Sequence, residues 1–274
     1  MAIRRILAVY FSATGTTKSI ITTIAEALAE HLNQPMEILD FTLPQNRQVP
    51  LSFTKEDLVI LGTPVIAGRV PNVLLPYLST VEGGDALSIP VVVFGNRHYD
   101  DALVELRDIL LDAHTHPIAA GAFIGEHSFS RILGAGRPDA EDLATAVSFA
   151  HQAAAYLEAA APVAVDGTPK PYRGYYKPQD HLGNLINILK VKPKTSDACN
   201  GCGLCAHRCP MGSIDSEDYT QITGICIKCC ACVKACPQAA KYYDDPGYLY
   251  HQRELEEMYQ RRAKPHLFFP KDAD

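Results

Sequence analysis

The chain has 274 residues, 47% of them hydrophobic and 20% charged. That is longer than one small core needs, and its composition is that of an ordinary globular chain rather than a disordered or fibrous one, so one α/β domain with a smaller companion is expected. The net charge of -6 is unevenly placed: residues 1–160 hold 10 Lys or Arg against 18 Asp or Glu, whereas residues 161–194 hold 6 basic and 2 acidic residues. An acidic first domain disfavours nucleic acid and suits basic patches on partner proteins, although a generic solvated surface accounts for it equally well.

The N-terminal run MAIRRILAVYF places two arginines before apolar residues, but Ser12 interrupts it and no small-residue cleavage site follows, so it reads as a first strand. No apolar stretch approaches the roughly 20 residues of a membrane-spanning helix, and a soluble cytoplasmic chain without membrane insertion is expected. Apolar runs then alternate with amphipathic stretches. Strands are expected at 4–11, 35–40, 57–62, 90–95 and 117–124, and helices at 16–32, 71–79, 100–113 and 139–160. This pattern predicts an α/β fold with a doubly wound, five-stranded parallel sheet. Ligands of such sheets bind beyond the carboxyl ends of the strands, which directs attention to the loops after strands one, three and four.

After strand one, Ser12, Thr14, Gly15, Thr16 and Thr17 lead into a helix. Hydroxyls, a glycine that lets the backbone curl and free amides at a helix start form a phosphate cradle, although a capped turn uses the same residues. The dinucleotide pattern G-x-G-x-x-G is absent, and Thr17 stands before Lys18 where a Walker loop needs glycine. After strand three come Thr63, Pro64, Val65, Ile66, Ala67, Gly68 and Arg69, and after strand four Gly95, Asn96, Arg97, His98 and Tyr99. A flavin needs apolar or aromatic faces and a polar backbone at its edge, and these two loops supply both. Arg69 and Arg97 are either partners of a reduced flavin or plain salt-bridge formers. His98 and His127 are expected to face solvent, because nothing pairs them with a nucleophile or an orienting carboxylate.

Residues 161–194 hold five prolines and three tyrosines and read as an ordered, semi-extended connector lying on the acidic first domain. Within it Leu182, Leu185, Ile186 and Leu189 recur at helical spacing, a stripe expected to pack against a domain. All nine cysteines fall between residues 199 and 236. Cys199, Cys202, Cys205, Cys209 and Pro210 recur 27 residues later as Cys226, Cys229, Cys232, Cys236 and Pro237. A disulfide framework belongs to small secreted domains, so metal binding is the better account of thiols crowded into one segment. Structural zinc needs only four ligands in paired knuckles and leaves three evenly spaced cysteines followed by C-P, twice, unexplained. Cys230 has no place in the pattern and reads as a bystander thiol, and His207 as a solvent-facing residue. A charged helix over 251–262 and the cluster Leu267, Phe268 and Phe269 close the chain; that cluster is expected to tuck into the fold, with a homodimer contact as the other use.

Two resemblances follow from these residues. The C-x2-C-x2-C-x3-C-P runs resemble those of bacterial two-cluster ferredoxins at all eight cysteines and both prolines. This resemblance implies that Cys199, Cys202, Cys205 and Cys236 hold one 4Fe-4S cluster, and Cys226, Cys229, Cys232 and Cys209 a second. Over roughly residues 3–160, the phosphate loop and the loops after strands three and four are similar in order and spacing to those of flavodoxins. That implies FMN, with its phosphate on Ser12, Thr14, Gly15, Thr16 and Thr17, its ring stacked on Tyr99, and Pro64 to Gly68 on the other face. Many flavodoxins place tryptophan there, and this chain has none. The whole chain thus resembles the flavodoxin-ferredoxin fusion proteins found mainly in anaerobic microbes, with a flavodoxin-like domain at 1–160, the connector at 161–194, a small α+β ferredoxin-like domain at 195–243 and a helical tail at 244–274. It implies an electron carrier between redox proteins, with single electrons on the clusters and one or two on FMN. A flavin reductase acting on a small acceptor such as a quinone is the alternative, and an open cavity lined by Tyr99 and residues 63–71 would mark it.

Overall fold

In the computed structural model, which describes residues 3–159 and 161–270, the apolar runs form the parallel strands β1 (Arg5–Tyr10), β2 (Met36–Asp40), β3 (Asp57–Pro64) and β4 (Leu87–Phe94). A fifth strand is broken into β5 (His116–Pro117) and β6 (Ala120–Ile124). Across the sheet the order is β2-β1-β3-β4-β6, with β5 also beside β4 and every one of these pairings parallel. This is the flavodoxin-like doubly wound order, with its switch point between β1 and β3. Both sheet faces are covered, which is why the central strands are apolar throughout rather than alternating. Along β1, Leu7, Val9 and Phe11 enter one core layer and Ile6, Ala8 and Tyr10 the other.

Helix α1 (Thr16–Leu32) has the expected limits. The helix expected at 71–79 is instead a 3-10 turn at Asn72–Leu74 and the single turn α2 (Leu75–Leu78), because Pro71 and Pro76 each withhold an amide from a longer helix. Helix α3 (Ala102–Asp112) matches its expected position. Helix α4 (Ala140–Ala153) starts on a reciprocal cap between Asp139 and Asp142 and gives way to a 3-10 turn at Ala154–Tyr156, so it stops short of the expected residue 160, which lies outside the described residues. The expected outer limits at residues 1 and 274 lie outside them as well. Strand β4 begins three residues earlier than expected: Leu87 to Ile89 are buried, and Ser88 satisfies its hydroxyl on Thr115.

The cysteine-rich segment is framed by the two-stranded sheet of β7 (Lys194–Thr195) and β8 (Lys241–Tyr242), which encloses the short helices α5 (Leu204–His207) and α6 (Ala231–Ala235). The tail helix α7 (Pro246–Met258) begins before the expected residue 251, because Asp245 caps it and Pro246 fits its first turn. Beyond it, β9 (His266–Phe268) adds an antiparallel strand to β6, while Phe269 packs on Phe149 and Tyr156. The Leu182 to Leu189 stripe is not a helix. Gly183 has a φ of 83°, Asp180 holds the amides of Leu182 and Asn184, and Leu182, Leu185 and Leu189 are exposed. Among the described residues no helix is long and apolar enough to cross a membrane.

Candidate functional site

The cysteines lie around two small cavities. Cys199, Cys202, Cys205 and Cys236 ring the first, with Tyr219 and Lys241. Cys209, Cys226, Cys229 and Cys232 ring the second, with Ile214, Ile225, Cys230 and Tyr243. The fourth cysteine of each run therefore crosses to the other run's ring. Among the described residues no three His, Cys, Asp or Glu side chains converge closely enough to hold a single metal ion.

The 27-residue repeat is written into the backbone. Gly201, Gly203 and Gly212 have φ of 72°, 73° and 59°, and their counterparts Lys228, Cys230 and Ala239 have 57°, 58° and 49°. Each run thus curls twice through the left-handed region before a short helix, which turns successive thiols toward one centre. The amides of Ser213 and Ala240 donate to Cys209 and Cys236 sulfur, each at 3.3 Å, at equivalent places in the two copies. Donors of this kind offset negative charge on a cluster. Burial pushes the Cys232 thiol up to about 12 and raises Cys205 and Cys229, so the apolar walls oppose uncompensated thiolates, and a cationic centre is what would stabilise them. Cys230, buried beside Cys229, sits 3.3 Å from the Tyr248 hydroxyl, and His207 is exposed.

At the carboxyl end of the large sheet, Gly15 has a φ of 95°, α1 has no side-chain cap, and Thr14 and Gly15 are exposed. The Ser12 hydroxyl accepts the Lys18 amide at 2.9 Å, and the Ser12 amide donates to Thr42. Thr17 is buried, Ser12 and Thr16 half-buried. Apart from the Ser12 bond to Lys18, the N-cap Gly15 brings no side-chain acceptor, and the start of a 17-residue helix suits a phosphate. A side chain at Gly125 would strike Thr16, and one at Gly95 would strike His127, so the loops after β1, β4 and β6 meet here. Thr63, at the end of β3, has a fully buried hydroxyl without a hydrogen-bond partner, an orphan that a ligand's polar edge could satisfy. Pro64 and Val65 are half-buried after it.

The ring-binding expectations fare differently. Tyr99 is only 2% exposed: it lies against Phe94, is stacked by His98, and pairs its hydroxyl with His266 at 3.2 Å, so it offers no free face for a flavin. The residue type is right for stacking, but the tail strand covers it. Ile66 and Arg69 exchange backbone bonds across Ala67 and Gly68, forming a tight turn whose tip rests on Asp100. Asn96 is buried and binds the backbone of Tyr259, Arg261 and Ala263. Arg97 pairs with Asp100 under the Tyr176 ring, and Arg69 forms a buried pair with Glu105 beneath Tyr172 and Tyr175. His127 is half-buried against Gly95 and Phe129 rather than fully solvent-facing, and burial holds its pKa down to about 3, with Lys234 adding to the effect.

The connector therefore lies on the first domain, as Tyr176 binds Ala67, Tyr175 binds Val70, and Asp101 accepts the amides of Thr168 and Arg173. Sequence reasoning missed the residues that dock the cysteine segment there. Lys234 of α6 donates to Glu126, to His127 carbonyl at 2.7 Å and to Ser130 carbonyl at 3.0 Å. Arg47 donates to Pro210 carbonyl at 2.7 Å, next to Cys209. Ile227, between Cys226 and Cys229, packs on the same core layer as Ala13 and Val65. Such pairings across more than 100 residues leave no local pattern to read.

A family profile described as a 4Fe-4S binding domain matches residues 193–215. No curated protein matches the sequence. The chain is similar in structure to a flavodoxin from the domain Archaea, at 12% identity and TM-score 0.39 over 56% of this chain and 99% of that one. It is similar also to rubredoxin oxygen:oxidoreductase from the anaerobe Desulfovibrio gigas (14%, 0.41, covering 58% and 37%) and to an FMN-bound flavodoxin mutant of Fusobacterium nucleatum (12%, 0.36, covering 57% and 96%). Strand order and the cysteine segment together define a flavodoxin-like domain joined to a ferredoxin-type iron-sulfur segment.

Proposed function

We propose that the chain is an electron carrier between redox proteins, holding two 4Fe-4S clusters and one FMN and converting between one-electron and two-electron steps. The observation that carries this reading is the pair of four-cysteine rings, one of which docks through Ile227, Arg47 and Lys234 against the sheet end where the start of α1 and the Thr63 hydroxyl lie. Cys199, Cys202, Cys205 and Cys236 hold the outer cluster, where Cys199 and Cys202 are exposed to a partner; Cys209, Cys226, Cys229 and Cys232 hold the inner one. Ser12, Thr14, Gly15, Thr16 and Thr17 take the FMN phosphate and Thr63 its polar edge, with Val65 and Ala13 at the apolar wall. The clusters supply single-electron steps and the flavin stores one or two electrons when bound. The protein excludes water, supplies N–H donors to sulfur and fixes the distance between the centres.

The burial of Tyr99 and the connector over residues 67–70 favour a carrier over a reductase of small acceptors. Protein prepared without oxygen is expected to contain about eight iron and eight sulfide per chain and one yellow flavin. Zinc in place of iron and sulfide, or a colourless preparation, overturns the reading. Rapid mixing of reduced protein with a ferredoxin and with quinones separates carrier from reductase: fast exchange with the ferredoxin alone is expected.

A further inference from the structure

Lys241 stands in β8 and is 3% exposed. Its ammonium donates to the Thr195 hydroxyl at 2.7 Å and to the Tyr219 carbonyl, both neutral. Asp218 feels its charge, but that carboxylate is exposed and bonded to Thr220. An ammonium taken out of water is costly unless opposite charge faces it. Lys241 lines the cavity of the first ring, and its charge acts on Cys205 and Cys236. It reaches Cys232 too, but lines only the first cavity.

The repeat sharpens the comparison. Twenty-seven residues before Lys241 stands Ile214, which lines the second cavity and is 7% exposed. The same place beside the two rings is thus a cation in one and an alkyl group in the other. Other lysines lie near the second ring but direct their ammonium groups to backbone carbonyls, Lys228 to Leu189 and Cys226 and Lys192 to Ile222, although the Lys228 charge also acts on Cys226.

We propose that Lys241 is the built-in counter-charge of the cluster held by Cys199, Cys202, Cys205 and Cys236 and raises its reduction potential. This rests on the two-cluster reading. Adding an electron makes a thiolate-bound cluster more negative, and a buried cation stabilises that state more than the oxidised one. Lys241 thereby acts on the poise of the outer centre without touching a reacting group.

The test is an EPR-monitored titration of anaerobically prepared holoprotein with dithionite, comparing wild type, Lys241→Met and Lys241→Arg. In Lys241→Met one cluster's reduction equilibrium is expected to fall at least tenfold, about 59 mV for one electron, with the other changing much less. Lys241→Arg is expected to stay near wild type, because it keeps the charge. Loss of half the iron in Lys241→Met but not in Lys241→Arg also supports the proposal. Unchanged potentials in Lys241→Met, or equal shifts or equal iron loss in both variants, overturn it. Wild-type protein with only half the expected iron sinks the two-cluster reading instead, and iron analysis shows that before any substitution.

Discussion

Cys230 occupies the repeat position of Gly203, and its φ of 58° is the conformation that the curl of each run demands. A side chain in that region costs roughly 1 kcal/mol. Cys230→Gly is therefore expected to keep the full iron content and to change stability by no more than about 1 kcal/mol, the lost Tyr248 contact offsetting the relieved backbone. Iron and sulfide assay checks this, and loss of iron would make Cys230 a ligand. Asp101 gives a prediction with a sign. Burial alone would raise its pKa, but the amides of Thr168 and Arg173, each at 2.9 Å, outweigh it and hold the carboxyl below its usual range. A depressed folded pKa contributes stability that is present above the unfolded value near 3.9 and is lost as pH falls through the lower folded one. The connector's resistance to proteolysis is expected to fall as the pH drops below about 4, and Asp101→Asn is expected to flatten that dependence and weaken the connector at neutral pH. At this scale the gathering of the cysteines was legible because each run spaces them locally, whereas the burial of Tyr99 was not, since its cover comes from His266, far along the chain.

Among the elements, α6 has two tasks: it presents Cys232 to its ring and inserts Lys234 into the loop after β6. Lys234 is 15% exposed and has three oxygen acceptors, one of them a carboxylate. Breaking such a contact typically costs about 3 kcal/mol. Lys234→Met is expected to speed hydrogen exchange of residues 126–130 and to slow transfer between cluster and flavin, read by stopped-flow absorbance; unchanged exchange there would show that the lysine does not hold the two units together. Helices α1, α3 and α4 could be read from sequence because their periodicity holds over several turns, with the Asp139 cap marking the start of α4. The leucine stripe of the connector has the right period over a span too short to nucleate alone, and Asp180 with Gly183 turns it into a loop. Strand β9 was unreadable for a different reason: three residues carry no period, and only the open edge of β6 makes them a strand.

Taken whole, the molecule is stitched together by segments that return to the first domain after leaving it. The connector crosses the loops after β3 and β4, the cysteine segment settles on the sheet's carboxyl end, and the tail comes back to pair with β6. The doubly wound sheet was legible from alternating apolar runs, but these returns were not, because each rests on contacts between residues far apart in the chain. The pairing of β9 with β6 has a consequence for synthesis. A ribosome releases residues 266–268 only after the cysteines have emerged, so the nascent first domain waits with one sheet margin uncovered until then. The first domain's sheet therefore gains its outermost strand only once the whole cysteine segment has left the ribosome.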